Sequence, residues 1–230
     1  PIKNGNQKGR LAVSMRSFPL IGALVGSIAG LVLICMTALG LAPIASAFIG
    51  LAAGILVTGA LHEDGLSDVA DGLGGGNTVE KKLKIMRDSR IGAYGVLVLV
   101  FSVGIRATVL GGLPTPELAA ATMVAAGALS RGLLPAIISM LKPARKSGLA
   151  LRAGTPDQEG WVKALLLGVL IGFFFLGPLG GLFAFIAGVA SAWFVAWFCQ
   201  QQIGGYTGDT LGAVQQSAEV CILIAVASVL

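Results

Sequence analysis

Long uncharged stretches alternate with short polar segments along this chain. No charged residue occurs in 17–61 or in 164–208. A helix needs about 20 residues to cross the apolar core of a bilayer, so each stretch is long enough for two crossings. Each stretch is interrupted near its middle by glycine and proline, at Gly40–Pro43 (GLAP) and at Gly177–Gly181 (GPLGG). We therefore predict that both stretches form helical hairpins.

Three further apolar segments complete the pattern, at Ile91–Leu113, Leu118–Leu141 and Thr210–Leu230. Each is long enough for one crossing, which brings the total to about seven. The fold predicted from these lengths is an all-α, polytopic membrane protein with about seven transmembrane helices, in which residues 1–230 form a single integral-membrane domain.

Basic residues are distributed unevenly among the polar segments. The segments fall into two sets, one for each side of the membrane. The set around Gly40, Pro114 and Gly180 contains no Lys or Arg. The second set contains most of the Lys and Arg residues and consists of 1–17, 62–90, 142–160 and 200–209. Because short cytoplasmic loops carry an excess of Lys and Arg, the second set is predicted to be cytoplasmic, together with the N-terminus. The chain begins at Pro1 rather than at Met, so we expect further sequence before it.

The composition agrees with this layout. Hydrophobic residues make up 55% of the chain and charged residues only 12%, whereas soluble domains have about 25% charged residues. No basic stripe with interleaved aromatic residues is present, which argues against nucleic acid as a partner. We therefore expect the protein to be surrounded by membrane lipid.

Three aspartates recur at helical spacing after the first hairpin. Asp64, Asp68 and Asp71 are related as i, i+4 and i+7, so they share one face of a helix. Carboxylates placed together repel one another unless a cation lies between them, and oxygen ligands suit Mg²⁺, with Mn²⁺ as the alternative. The spacing therefore predicts a metal site in a cytoplasmic active-site loop of about 62–90; the competing interpretation is a solvated acidic turn.

A basic, amphipathic segment follows at Glu80–Arg90. One interpretation is a surface helix that meets anionic lipid. The other is that Arg87 or Arg90 binds a phosphate group of a substrate, because a guanidinium can donate two parallel hydrogen bonds to phosphate oxygens. Asp88 lies among these bases and is a candidate to complete the metal site or to act as a general base.

A few charged residues lie inside predicted spans. Arg106, Arg131 and Glu219 occur in otherwise apolar segments, and such residues normally face the bundle interior or a wet cavity. They are expected either to pair with one another or to line a cavity for an anionic substrate. Asp209 lies in a glycine-rich loop, Gly204–Gly212, on the same side as the three aspartates, which predicts that it belongs to the same site.

Several motifs resemble the cobalamin synthase (adenosylcobinamide-GDP ribazoletransferase) family. The similarity extends from about Arg16 to the C-terminus, and two of the motifs are long and specific. The matching segments are Phe18–Gly22 (FPLIG), His62–Gly75 (HEDGLSDVADGLGG), Lys84–Gly95 (KIMRDSRIGAYG), Ser130-Arg131, Pro143–Arg145 with Gly148, and Gly204–Ala213 (GGYTGDTLGA). Glu63 departs from the pattern, because an apolar residue is expected there.

The resemblance implies a transferase of late vitamin B12 assembly. Such an enzyme uses Mg²⁺ to join adenosylcobinamide-GDP to α-ribazole or its 5′-phosphate, and it releases GMP. It would be a multi-pass protein of the inner membrane of a prokaryote, with its active site facing the cytoplasm. The expected partners include a second copy of the chain or other B12-assembly enzymes.

The resemblance also implies roles for individual residues. His62 is a candidate general base, with an orienting hydrogen bond as the alternative, and Asp88 is the other catalytic candidate. The remaining roles are metal binding by Asp64, Asp68 and Asp71, with Asp88 or Asp209 as further ligands, and substrate binding by Arg87, Arg90, Arg131 and Asp209.

Other membrane proteins remain as alternatives. A CDP-alcohol phosphotransferase would have Asp-x-x-Asp-Gly-x-x-Ala-Arg, but here Gly65 follows Asp64 and no Ala-Arg follows. A UbiA-type prenyltransferase would have aspartate motifs on two loops, and the second loop here offers only Asp157. A transporter would have broken helices at mid-membrane and inverted repeats, of which the two hairpins give a faint indication.

Overall fold

The computed structural model describes residues 12–145 and 153–229; the predictions made for Gly148 and for the polar start of the chain lie outside these ranges. After a 3₁₀ turn at Met15–Ser17, the α-helices in chain order are α1 (Phe18–Ala38), α2 (Pro43–Thr58), α3 (Leu61–Gly75), α4 (Val79–Ile85), α5 (Ala93–Gly111), α6 (Pro116–Met140), α7 (Gln158–Ile203) and α8 (Gly208–Ala227). The prediction of an all-α fold is confirmed.

Five helical segments are long and apolar enough to cross a membrane: Ala12–Ala38, which contains α1, and the helices α5, α6, α7 and α8. Helices α2 and α3 meet the same criterion only together, which raises the number to six, and they are bent by 92° relative to each other. The predicted multi-pass architecture is confirmed, whereas the number of about seven and the side of the N-terminus stay predictions.

Both predicted hairpins are present. The first turns at Gly40, whose φ of 89° favours glycine, and α2 then returns along α1, with Gly50 against Ala29. In α7 the backbone leaves helical geometry at Gly177, with φ 69° and ψ −177°. A Cβ atom on Gly181 would lie 3.0 Å from the Cα atom of Phe173. Since residues eight apart in a straight helix are about 12 Å apart, the two halves of α7 form a hairpin.

Helix α6 lies at the centre of the bundle. Every residue from Thr122 to Ile138 is buried, so this helix is covered by its neighbours. Small residues allow close approach: a Cβ atom on Gly22 of α1 would lie 2.0 Å from the carbonyl oxygen of Gly127. Such backbone contact gives dispersion energy between helices in lipid, where no hydrophobic driving force brings them together. The predicted packing role of the small residues is consistent with this arrangement.

The polar segments predicted to share one side gather at one end of the bundle. Met15 packs with Ile138 and Tyr206, and Gly92 lies against Asp71. The loop after α6 pairs with the segment before α8 through a parallel bridge between Pro143 and Tyr206. Helix α3 starts at this end, after left-handed backbone at Gly59 and Ala60. The fold therefore brings the predicted motifs to one place.

Candidate active site

Helix α3 carries the three aspartates and packs directly on α8. A Cβ atom on Gly65 would lie 2.7 Å from the carbonyl oxygen of Asp209, and one on Gly212 would lie 3.0 Å from the carbonyl oxygen of His62. Glycine at these positions lets the two backbones touch. The contact places the first turn of α8 beside the aspartate-bearing face of α3, and the prediction that Asp209 lies beside the aspartates agrees with this geometry.

The carboxylates of Asp64, Asp68 and Asp209 repel one another electrostatically, and we call these three residues the acidic cluster. Asp64 is exposed and Asp68 is half-buried. Burial, followed by the negative charges of Asp64 and Asp209, raises the pKa of Asp68 to about 7. A carboxyl group whose charged form is destabilised in this way is one that a cation would stabilise.

Among the residues that the structure describes, Arg145 is the basic side chain that reaches the acidic cluster. Arg145 Nη1 lies 3.0 Å from Asp209 Oδ2, and both side chains are largely buried. Thr207 Oγ1 also donates to Asp209 Oδ2, at 3.2 Å. Within 12–145 and 153–229, positive charge thus compensates the acidic cluster only in part.

The acidic cluster is not arranged as a ready-made metal centre. Across 12–145 and 153–229, no three His, Cys, Asp or Glu side chains are close enough together to hold a metal ion. The donor set itself fits Mg²⁺ or Mn²⁺, because it consists of oxygen atoms at a half-open surface. Its carboxylates would have to turn toward a common point.

Asp71 has a different environment from the other two predicted metal ligands. Its Oδ2 accepts a hydrogen bond from the backbone N–H of Gly92 at 2.7 Å, and its Oδ1 accepts one from Gly95 at 2.9 Å. Asp71 is buried and therefore caps the N-terminus of α5, where backbone N–H groups lack helical partners. This arrangement favours a structural role over the ligand role predicted from the spacing.

Replacing Asp71 by alanine is expected to destabilise the protein by about 2–3 kcal/mol, because two hydrogen bonds to a charged acceptor are lost. Asp71→Asn, which keeps one carbonyl oxygen, is expected to lose less. Unfolding in mixed micelles measures both, and Mn²⁺ titration of Asp71→Asn checks the assignment. An Mn²⁺ affinity within about twofold of the parent supports the capping role. A decrease in Mn²⁺ affinity of about tenfold or more, as expected when a metal ligand or its hydrogen-bond partner is changed, restores the ligand role.

Two charged side chains of the basic segment are paired with each other. Asp88 pairs with Arg90 through two hydrogen bonds, at 3.0 and 2.7 Å, and these bonds lower the pKa of Asp88 to about 2. An ionised carboxylate held in this way is a weak base. Arg87 is exposed. The structure does not bring Asp88, Arg87 or Arg90 into contact with the acidic cluster, and their catalytic and substrate-binding roles stay predictions.

The charges within the spans form a buried network. Arg106 Nη1 lies 3.1 Å from Glu219 Oε1, and Arg106 Nη2 lies 3.6 Å from Glu63 Oε1. Arg131 Nη1 lies 3.8 Å from Glu219 Oε2. Two arginines and two glutamates from four helices thus compensate one another, as charges in a low-dielectric interior require. This pairing is one of the two interpretations predicted for the intramembrane charges, and Glu63 is an additional member.

Amides and a hydroxyl extend the network. Gln216 Nε2 donates to Glu63 Oε1 at 2.9 Å, and Gln215 Nε2 donates to Ser130 Oγ at 3.0 Å. A cavity of about 40 Å³ adjoins the network and is lined by Glu63, Arg131 and Gln216 among others. A cavity of this size accommodates water. The second interpretation, an anionic substrate in this space, would require a larger cavity.

His62 lies within the electrostatic influence of the buried network. The charges that act on it are those of Arg131, Glu219 and Arg106, and its buried Nδ1 has no hydrogen-bond partner among the described residues. Both candidate roles, the general base and the orienting hydrogen bond, stay predictions.

Two features of the site were absent from the predicted residue set. Arg145 was noted only as part of a motif, because nothing in its sequence context indicates an acidic partner 64 positions later. An apolar residue was expected in place of Glu63, whose carboxylate binds Arg106 and Gln216 in the buried network. The signal that the sequence offered for Glu63 was a charged residue where the family pattern has an apolar one.

Comparisons with known proteins agree with the motifs. A family model described as cobalamin-5-phosphate synthase matches residues 1–227. The adenosylcobinamide-GDP ribazoletransferase of Mesorhizobium japonicum is 46% identical over 231 residues, covering 100% of this chain and 88% of that protein. Its counterpart in Bradyrhizobium diazoefficiens is 43% identical over 220 residues, covering 96% of this chain and 85% of that protein.

A third relative with the same name, from Rhizobium johnstonii, is 41% identical over 230 residues and covers 96% of this chain and 88% of its own length. No solved structure matches the chain. Because the family model covers almost every residue and these relatives align along nearly the whole chain, this protein belongs to the cobalamin-5-phosphate synthase family.

Proposed function

We propose that this chain joins adenosylcobinamide-GDP to α-ribazole, or to its 5′-phosphate, at the end of the bundle where the acidic cluster lies. The observation that carries the proposal is the match of the cobalamin-5-phosphate synthase model to residues 1–227. The relatives named adenosylcobinamide-GDP ribazoletransferase align along nearly the same length. The product would be cobalamin or its phosphate, and the leaving group would be GMP.

The reaction is a displacement at phosphorus. A P–O bond forms between a ribose hydroxyl of the acceptor and the phosphorus attached to the cobinamide arm. The P–O bond to the bridging oxygen of the pyrophosphate breaks, GMP leaves with the bonding electrons, and the hydroxyl proton passes to a base. The protein must therefore position two substrates and offset the charge of the pyrophosphate.

A divalent cation at the acidic cluster is part of the proposal. Asp64, Asp68 and Asp209 offer oxygen ligands. Burial and then the charges of Asp64 and Asp209 raise the pKa of Asp68, and a cation would stabilise its charged form. Mg²⁺ supplies positive charge to phosphate oxygens when it is bound. Asp71 contributes indirectly, since its hydrogen bonds to Gly92 and Gly95 fix α3 against α5.

The fold and the charge pattern support a cytoplasmic location for the site. The acidic cluster lies where α8 begins, next to the first residues of the loop that follows α6, and the segments on this side carry most of the Lys and Arg residues. By the positive-inside rule we propose that this end faces the cytoplasm of a prokaryote, in its inner membrane. A soluble nucleotide-activated substrate would then reach the site without crossing the bilayer.

The proposal is tested with protein purified in lipid nanodiscs and incubated with adenosylcobinamide-GDP, α-ribazole and Mg²⁺. We expect GMP and cobalamin in equal amounts by chromatography and mass spectrometry, and no product after EDTA treatment, with activity restored by added Mg²⁺. Absence of both products from folded protein would contradict the proposed reaction. Undiminished product in the presence of EDTA would contradict only the metal requirement.

A further inference from the structure

Arg145 connects three parts of the chain at the acidic cluster. Its Nη1 lies 3.0 Å from Asp209 Oδ2 at the start of α8. Its Nη2 donates to the carbonyl oxygen of Leu83 in α4 at 3.3 Å. The side chain is only 14% exposed, whereas that of Arg90 is 87% exposed. Arg145, which is largely buried, therefore reaches the acidic cluster, whereas Arg90 is exposed to solvent.

The backbone holds Arg145 in this position. The N–H of Ala144 donates to the carbonyl oxygen of Tyr206 at 2.8 Å, and the N–H of Tyr206 donates to Lys142 at 2.9 Å. A Cβ atom on Gly205 would lie 2.2 Å from the carbonyl oxygen of Lys142, so the pairing requires glycine there. Arg145 and Asp209 follow the two bridged residues, Pro143 and Tyr206, by two and three positions. The bridge therefore keeps the two side chains near each other even when they are not hydrogen-bonded.

The guanidinium has donors to spare. Arginine carries five N–H donors, and here Nε is buried without a hydrogen-bond partner in the described part of the chain. The bond to Leu83 is long, so the contact with Asp209 is its main interaction. An unsatisfied buried donor of this kind is uncommon in a folded protein and calls for a partner.

We propose that Arg145 exchanges partners during the reaction cycle. It is the counter-ion of Asp209 while the acidic cluster holds no divalent cation, and it binds an oxygen of the substrate's pyrophosphate once Asp209 shares a cation. The ligand class is a nucleoside diphosphate ester, and a planar guanidinium suits its oxygens better than an ammonium does. This inference rests on the proposed function and assigns substrate binding to a motif residue for which the sequence analysis gave no role.

Partner exchange has a consequence that a structural role lacks. Arg145 competes with the cation for Asp209 but cooperates with it in binding the pyrophosphate. Its removal should therefore strengthen cation binding to the protein without nucleotide and weaken nucleotide binding in the presence of the cation. A residue that only holds the loop in place would weaken both when it is removed.

The test measures Mn²⁺ binding by electron paramagnetic resonance and GDP binding by calorimetry in nanodiscs. For Arg145→Gln we expect the Kd for Mn²⁺ to fall about threefold to fivefold, because a competing ion pair is removed. We expect the Kd for GDP with saturating Mn²⁺ to rise about 10-fold to 100-fold, because hydrogen bonds to a charged acceptor are lost. Arg145→Lys should bind Mn²⁺ like the parent and GDP with intermediate affinity.

Lys142→Gln is the matched control, since it removes one positive charge from the same loop while leaving the backbone bridge intact. Both of its affinities should stay within about twofold of the parent values. Weaker binding of both Mn²⁺ and GDP by Arg145→Gln, or no change in either, would overturn the inference. These binding measurements do not depend on turnover, so failure of the proposed reaction would be seen separately in the nanodisc assay.

Discussion

Replacing Asp68 by asparagine is expected to lower the rate of cobalamin formation by at least about 100-fold. Changing a residue that only hydrogen-bonds to a metal ligand already lowers activity by up to about 100-fold, and a ligand itself should matter at least as much. Asp68 lies at the centre of the acidic cluster, where burial and the charges of Asp64 and Asp209 act on it together. The substitution keeps the volume of the side chain but removes the charge that we propose binds the cation. Initial rates of GMP release at saturating substrate measure the effect.

The same variant should bind Mn²⁺ at least about tenfold more weakly than the parent. Asp157→Asn is a matched control. Asp157 is exposed, and its Oδ1 accepts a hydrogen bond from Gly160 at the start of α7, which asparagine can replace. Parent-like activity of Asp68→Asn, with Mn²⁺ binding intact, would remove Asp68 from the metal site.

Replacing Glu219 by alanine is expected to destabilise the fold by about 3–5 kcal/mol, the cost of leaving a buried charge without its partner. Glu219 is the only carboxylate in the described part of the chain that lies within 4.0 Å of both Arg106 and Arg131. Its removal leaves two buried guanidinium groups with Glu63 as their remaining acidic neighbour. Equilibrium unfolding in mixed micelles, followed by tryptophan fluorescence, measures the change.

Two comparisons make the stability result specific. Glu159→Ala breaks an exposed pair with Lys163 on α7, and its effect should stay within about 0.5 kcal/mol. The double variant Arg106→Met/Glu219→Met removes one charge of each sign and should recover part of the lost stability. If Glu219→Ala were no more destabilising than Glu159→Ala, the network would not stabilise the fold.

The network also bears on how α3 is held. Glu63 is adjacent to Asp64, yet it faces inward to Arg106 and Gln216. On a helix, successive residues point in directions about 100° apart, so anchoring one of them orients the next. The buried charges thus help to turn the aspartate-bearing face of α3 toward Asp209. The residue that departs from the family pattern is used inside the fold rather than at the acidic cluster.

Local patterns in the chain were sufficient to predict an all-helical, multi-pass fold and the breaks in its two long apolar stretches. A span of about 20 apolar residues is required by the thickness of the bilayer wherever the segment lies in the fold. The breaks at Gly40 and Gly177 follow from backbone angles that favour glycine. The i, i+4, i+7 spacing likewise indicated a helix for 64–71, and the structure has one.

Only the tertiary structure decided which of the polar residues meet. Asp71, indistinguishable from Asp64 and Asp68 by spacing, turns to the N-terminus of α5 because α5 begins beside it. Arg145 pairs with Asp209 because a backbone bridge joins two loops that are distant in sequence. Partners of this kind depend on how helices pack. Since packing in lipid is governed by the close fit of small residues rather than by a hydrophobic pattern, single positions do not reveal their partners in advance.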